Sequence, residues 1–121
     1  MSNDEETRRI VRAHLDAWRN GDVRRLMADY ADDAVLLSKH TGPLVGKAAI
    51  AAMYQHVFSE IFKTNEITFT AEPVFVCGDL ALVHWGVTSS TLRTVGGFDT
   101  FFLRDGLIVA QTAGGEIIPL S

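Results

Sequence analysis

This chain cannot form an intramolecular disulfide. Its 121 residues hold one cysteine, Cys77, so the core has no covalent bridge, which suits a reducing, cytoplasmic setting. Cys77 precedes Gly78-Asp79 in an apparent turn, with no basic neighbour to activate its thiol, and reads as a filler. Long apolar runs are missing too: none approaches the ~20 residues of a membrane span. The polar, acidic start, "MSNDEETRR", does not read as a signal peptide. Positive charge is in deficit, with 11 Lys and Arg against 15 Asp and Glu and a net charge of −4. That argues against nucleic acid as a partner. Arg8, Arg9 and Arg12, and then Arg24 and Arg25, are interleaved with acids, as on a solvated helix face. The histidines have no close-pair or i, i+4 spacing and there is no second cysteine, so no metal site is expected. No G-x-G-x-x-G, P-loop or G-x-S-x-G stretch appears, and no cofactor is expected.

What is present is an ordinary globular mix, 47% hydrophobic and 21% charged. Its length fits one domain over residues 1–121, able to bury roughly two-thirds of its unfolded surface. Ser2 and Glu5 have capping-box spacing. Ile10, Val11, His14, Leu15 and Trp18 then recur with helical period, and Gly21 ends that helix. Asp22 can cap a second helix with the stripe Val23, Leu26, Met27 and Tyr30. "AVLL" (34–37) reads as a strand, with Asp32 and Asp33 turning the chain into it, and "SKHTGPLVG" (38–46) as a loop. Ile50, Met53, Tyr54, Val57, Phe58, Ile61 and Phe62 make the cleanest helical stripe.

After Asn65 the pattern turns to β. "EITFTAEPVFV" (66–76) alternates, with Pro73 at a bulge or edge. "LALVHWGVTSSTLR" (80–93) reads as one long strand and "VGG" (95–97) as a turn. "FDTFFL" (98–103), a hairpin at Asp105-Gly106 and "LIVAQTAGGEII" (107–118) complete the chain. Helices first and antiparallel strands second give an α+β class, with helices on one face of a curved sheet. In "FDTFFL", Phe98 and Phe102 share one face, while Asp99, Phe101 and Leu103 share the other. With both faces apolar, the outer one needs a cover, and a homodimer packed sheet to sheet supplies it.

Three stretches in order, "W-x-x-G-D-x-x-x-L-x-x-x-Y-x-D-D-A-V", "G-K-A-A-I" and "F-D-T-F-F-L-x-D-G-L-I", carry a resemblance over residues 7 to 118. The chain resembles the SnoaL-like branch of the nuclear transport factor 2-like superfamily, and the ketosteroid isomerases within it. The resemblance implies a cone-shaped α+β barrel: three N-terminal helices packed on a curved, mainly antiparallel sheet, with a pocket between. It does not fix an activity, because that superfamily holds isomerases, cyclases, dehydratases, epoxide hydrolases and silent binding modules.

Carried over by position, the isomerases' first-helix tyrosine is His14 here. Their general-base aspartate is Ser38, which cannot abstract a carbon-bound proton unaided. Their late aspartate is matched by Asp99, and a helper tyrosine by Tyr54. Steroid-isomerase chemistry is therefore not expected. Two readings of His14 stay open: a core histidine bonded to a backbone carbonyl or to Asp99, or a His14–Asp99 pair lining the pocket as general acid or base. The isomerase alignment turns His84 inward as a third catalytic candidate; a slip of one residue would bring Trp85 in instead. Trp18, Met27, Tyr30, Ser38, Tyr54, Phe58, Phe101 and Gln111 are the candidate ligand contacts. His40 stands at the pocket mouth and His56 in solvent. The functional expectation is a cofactor-independent lyase-, cyclase- or isomerase-type enzyme acting on a small apolar carbonyl or hydroxyl compound. The alternative is a non-catalytic ligand-binding or interaction module of the same fold.

Overall fold

A computed structural model of the chain describes residues 3–63 and 65–120. Ser2, the expected partner in the capping box, lies outside them. The first helix, α1, spans Asn3–Arg19, with Asp4, Glu5 and Glu6 in its first turn, where acids suit the positive end of the helix dipole. Gly21 ends it at φ 64°, and the N–H of Asp22 closes on the carbonyl of Ala17. The Asp22 carboxylate then caps α2 (Val23–Met27) by accepting from the Arg25 N–H at 3.0 Å. With five residues, α2 is little more than one turn. It is anchored by Leu26, which is fully buried.

The first strand, β1 (Tyr30–Ser38), is longer than its apolar run and contains Asp32 and Asp33. The expected turn at these acids is instead an irregularity within the strand: a step of five positions along β1, from Tyr30 to Val35, matches a step of two along the last strand, from Ile108 to Ala110. Both acids stay exposed while Tyr30, Ala34 and Leu36 are buried. The expected loop at 38–46 holds β2 (Gly42–Val45), an edge strand that tolerates Pro43 because its outer side needs no partner. The long stripe then forms α3 (Lys47–His56), followed by a π-helical turn, Val57–Ile61. That wider turn, closed by the Phe62 N–H on the Val57 carbonyl, brings Phe62 against Trp18 and Trp85.

The second half is β3 (Thr68–Thr70), β4 (Val74–Cys77), β5 (Leu80–Thr88), β6 (Leu92–Arg104) and β7 (Leu107–Pro119). The single alternating strand expected at 66–76 is two short ones, interrupted before Val74 at Pro73, and both pair with β5. The order across the seven-stranded sheet is β2-β1-β7-β6-β5-β3. Every pairing is antiparallel except β1 with β7. The result is an α+β fold with a mostly antiparallel open sheet.

One expectation about these strands fails in an instructive way. The turn between β5 and β6 lies at Ser89–Thr91, where the Ser89 hydroxyl accepts from the N–H groups of Thr91 and Leu92. Val95-Gly96-Gly97, expected as the turn, lies inside β6 at a register shift. Gly97 is required there. A Cβ at this position would sit 2.8 Å from Cδ2 of Trp85, whose indole lies across it.

The core forms where Ile10, Val11 and Ala17 of α1 and Ile50 of α3 meet Val83, Phe101 and Ile108 of the sheet. Truncating Leu26 to alanine should therefore cost about 2–5 kcal/mol. Asp22→Ala, which removes only the cap, should cost about 0.5–2 kcal/mol. Urea unfolding of the two variants checks the ranking.

Candidate functional site

Burial along β5 alternates so that Ala81, Val83 and Val87 face the helices. Trp85 shares that side of the strand, while His84 is exposed. Across from Trp85 lies Gly97, and two residues further along β6, on the same face, is Asp99. The bare backbone of Gly97 thus gives the indole room to reach sideways. Its Nε1–H donates to Asp99 Oδ1 at 3.0 Å. On β7, Gln111 is opposite Phe101 and so lies diagonal to Asp99. Gln111 Nε2 donates to Asp99 Oδ2 at 2.8 Å.

The network continues beneath the cavity. Tyr30 donates its hydroxyl proton to Gln111 Oε1. Its oxygen lies 2.7 Å from the Tyr54 hydroxyl and 3.3 Å from His14 Nε2. On the far side of the imidazole, His14 Nδ1 is 2.9 Å from Asp29 Oδ2. Asp29 is held in turn by Arg25, whose guanidinium donates to Oδ1 at 2.7 Å. Eight residues from α1, α2, the α2–β1 joint, α3 and the four strands β1, β5, β6 and β7 therefore form one continuous polar chain. Among the described residues, no buried side-chain nitrogen or oxygen lacks a partner.

The two carboxylates at its ends differ in kind. Burial raises Asp29, but hydrogen bonds from His14 and Arg25 more than offset this and hold it below its usual range. Asp99 has neutral donors instead. Burial pushes it up to about 7, against the smaller lowering effect of Trp85 and Gln111. Burial also raises Tyr30 and Tyr54, so both remain neutral phenols.

Above this chain lies a cavity of about 280 Å³. Trp18, Leu36, Met53, Phe62, Trp85 and Phe101 make most of its apolar wall; His14, Tyr54 and Asp99 supply polar groups, and Ser38, His40 and Thr41 border it from the β1–β2 hairpin. His40 is tied to the Gly115 carbonyl at 2.8 Å. His56 is exposed and also borders the cavity. No cluster of three or more His, Cys, Asp or Glu among the described residues could hold a metal ion.

A family model for the SnoaL-like domain matches residues 11–111. The chain belongs to the SnoaL-like domain family. No curated protein matches this SnoaL-like chain. Solved structures of several names share its fold. A Kribbella flavida protein provisionally named a ketosteroid isomerase is 22% identical, with a TM-score of 0.80 over 96% of this chain and 82% of that one. An LEH-like epoxide hydrolase from M. tuberculosis is 19% identical, with a TM-score of 0.71 over 93% and 84%. A Xanthomonas campestris protein provisionally named a polyketide cyclase is 20% identical, with a TM-score of 0.71 over 93% and 92%. At such identities the likeness is one of fold alone.

Several expected site residues need correction. His14 and Asp99 do not bond directly: His14 bonds Asp29, and Asp99 bonds Trp85 and Gln111. His84 points away from the cavity, with its ring edge-on to Phe75 on the outer face. The inward residue of this pair is Trp85, one position on from the residue that the isomerase alignment turns inward. Tyr30 and Gln111 are buried behind the cavity wall, Phe58 backs Trp18 and Tyr54, and Met27 packs on the core; none of the four lines the cavity. His14, Trp18, Ser38, Tyr54, Asp99 and Phe101 do border it. Asp29 and Arg25 were missed. Their i, i+4 spacing, which sets two side chains on one helical face, was the available signal.

Asp99 makes stability depend on pH. The unfolded chain ionises near the ordinary carboxylate value, whereas the folded one holds its proton up to about 7. Stability contributed by the neutral form should therefore fall as pH rises between those limits and level off above. Asp99→Asn should flatten that limb, as thermal unfolding from pH 4 to 8 would reveal.

Proposed function

We propose that this SnoaL-like protein binds a small, mainly apolar molecule bearing one carbonyl or hydroxyl group, and that Asp99 exchanges a proton with that group. The observation that carries this reading is the Asp99 carboxyl: it borders an apolar cavity, has neutral donors as partners and holds its proton to about 7. Such a group can protonate a leaving hydroxyl or donate to a developing oxyanion. Tyr54, a neutral phenol beside it, is a second donor. The carbon-acid base of the steroid isomerases would stand at Ser38, so dehydration or cyclisation fits better than isomerisation. Neighbours named for isomerase, hydrolase and cyclase chemistry are compatible with an enzyme. The mechanism needs no cofactor: the residues supply the acid, and the wall excludes water. A cone-shaped barrel is part of the same reading, supported by the cavity between helices and sheet.

With Asp99 as acid, kcat/KM on an apolar hydroxy-ketone should decline as pH rises through about 7. Asp99→Asn should lower kcat by about 10²–10⁴-fold and leave ligand affinity within a few fold. Turnover assays paired with calorimetric binding check both. A rate that climbs through that pH refutes the acid role. Binding without turnover by the wild type would favour the alternative, a ligand-binding module, which the serine at the base position also supports. A pure interaction module has less support, because it would need neither the cavity nor its carboxyl.

We propose also that a second copy of the chain covers the outer sheet face. Phe75, Leu80 and Phe102 are 56%, 50% and 42% exposed there. Leu80 is directly opposite Phe102 and His84 directly opposite Phe98, which makes a contiguous apolar patch. Sedimentation should find a dimer, and Phe102→Glu should yield monomers. A monomeric wild type at micromolar concentration would overturn this. A cytoplasmic, reducing location belongs to the same proposal, its support being the exposed, unpaired thiol of Cys77.

A further inference from the structure

The hydroxyl of Tyr30 has a single proton and three polar neighbours: Gln111 Oε1, Tyr54 and His14 Nε2. How that proton is used fixes the protons at both ends of the chain. Asp29, held ionised by Arg25, can only accept. His14 must therefore carry hydrogen on Nδ1. An ionised Asp99 can likewise only accept, so Gln111 must turn its NH₂ group toward it. That leaves Gln111 Oε1 facing Tyr30, which donates its proton there. The Tyr30 oxygen is then an acceptor alone, filled by Tyr54 and by His14. For His14 to donate, Nε2 must also bear hydrogen. With Asp99 ionised, the imidazole is doubly protonated.

The chain has one other consistent arrangement. If Asp99 carries the proton, it donates to the Gln111 oxygen, with the amide turned over. The Gln111 NH₂ then donates to the Tyr30 oxygen, and Tyr30 donates to a bare His14 Nε2. The two arrangements hold the same number of protons. Between them, Nε2 loses one and Asp99 Oδ2 gains one, and imidazolium and carboxylate are neutralised together.

We propose that His14 and Asp99 share one proton through Tyr30 and Gln111, so that His14 is a buried second seat for the proton of the carboxyl in the cavity wall. His14 is 2% exposed, so it exchanges with solvent poorly by itself. Its charged and titratable neighbours are Asp29, with Arg25 behind it, from the α2–β1 joint, Tyr30 from β1 and Tyr54 from α3. Phe101 of β6 packs edge-on to its ring, and the rest of it borders the cavity. When a bound molecule needs a proton, the shared one can pass from His14 to Asp99 without admitting water; once given away, it has to return from the product or from solvent. His14 and Gln111 are positioning residues in this scheme, since they act through Asp99. The sharing goes beyond the enzymatic reading, because it belongs to the free protein and needs no turnover.

Asp99→Asn tests it by forcing one arrangement. The Trp85 N–H only donates, so the oxygen of the new amide must face it and the NH₂ must face Gln111. That requires Gln111 to turn over and His14 Nε2 to give up its hydrogen. Nitrogen-15 spectra of the histidine rings at pH 7, with His14→Gln for assignment, read the protonation of Nε2. Nuclear Overhauser contacts of the Gln111 amide protons read its orientation. The expected result is a His14 Nε2 that carries hydrogen for part of the time in the wild type, with Gln111 in both orientations, and a bare Nε2 in the variant, with the Gln111 NH₂ turned wholly to Tyr30. Loss of the Nε2 proton without amide reversal would mark a through-space charge effect and overturn the proposal. So would no change at either residue. If the variant fails to fold, the wild type still decides: a bare Nε2 beside Gln111 oriented toward Asp99 refutes the shared proton.

Discussion

The Asp29 carboxylate, bonded on one side by Arg25 and on the other by His14, is the interaction on which the rest of the site depends. It fixes the face that the imidazole presents to Tyr30. Tyr30 in turn sets the orientation of Gln111, and Gln111 sets the surroundings of Asp99. The members of this network come from α1, the α2–β1 segment, α3 and the strands β5 to β7, so it also fastens the helices to the sheet. A buried polar group left without its partner costs about 1–3 kcal/mol, whereas a satisfied one contributes about 1 kcal/mol. The interior therefore favours one arrangement of α1, α3 and the central strands over close alternatives.

The cavity is apolar apart from a few groups. An apolar wall orients little by itself, but it makes the scattered polar atoms count, because an electrostatic interaction strengthens as water is excluded. Asp99 shows this. A carboxyl with the same two neutral donors at the surface would be ionised well below neutral pH; burial is what leaves it poised. Asp29, held by hydrogen bonds from His14 and Arg25, goes the other way. The division of labour between the two acids follows from their neighbours and not from their side chains.

Much of this was legible in the sequence. The α1 stripe, the Gly21–Asp22 break and the shared face of Asp99 and Phe101 follow from periodicity, and the family from three ordered stretches. The orientation of β5 was harder to read. Alternation says that His84 and Trp85 face opposite ways, but choosing between them needs the packing of the sheet on the helices; the turn that follows was equally hard to place. Ser89–Thr91 makes that turn with side-chain hydroxyls, while the more conspicuous Gly96-Gly97 is spent on clearing space for an indole. Asp29 escaped notice for a related reason. It belongs to no apolar stripe, and its partner His14 lies 15 residues away on α1. Local patterns report which face a residue takes; they do not report what waits on that face.

The parallel pairing of β1 with β7 bears on how the protein is made. Residues 30–38 find their central neighbour only in residues 108–113. On the ribosome, a chain that has emerged through β5 has its first helices and both flanks of the sheet, yet β6 and β7, which join those flanks, are still to come. Tyr30 waits across a gap of 81 positions for Gln111. Contacts so distant in sequence delay folding until synthesis is nearly over. The floor of the cavity is thus among the last parts to assemble, and a nascent chain holds Tyr30 and Tyr54 without the strand that completes their hydrogen bonds.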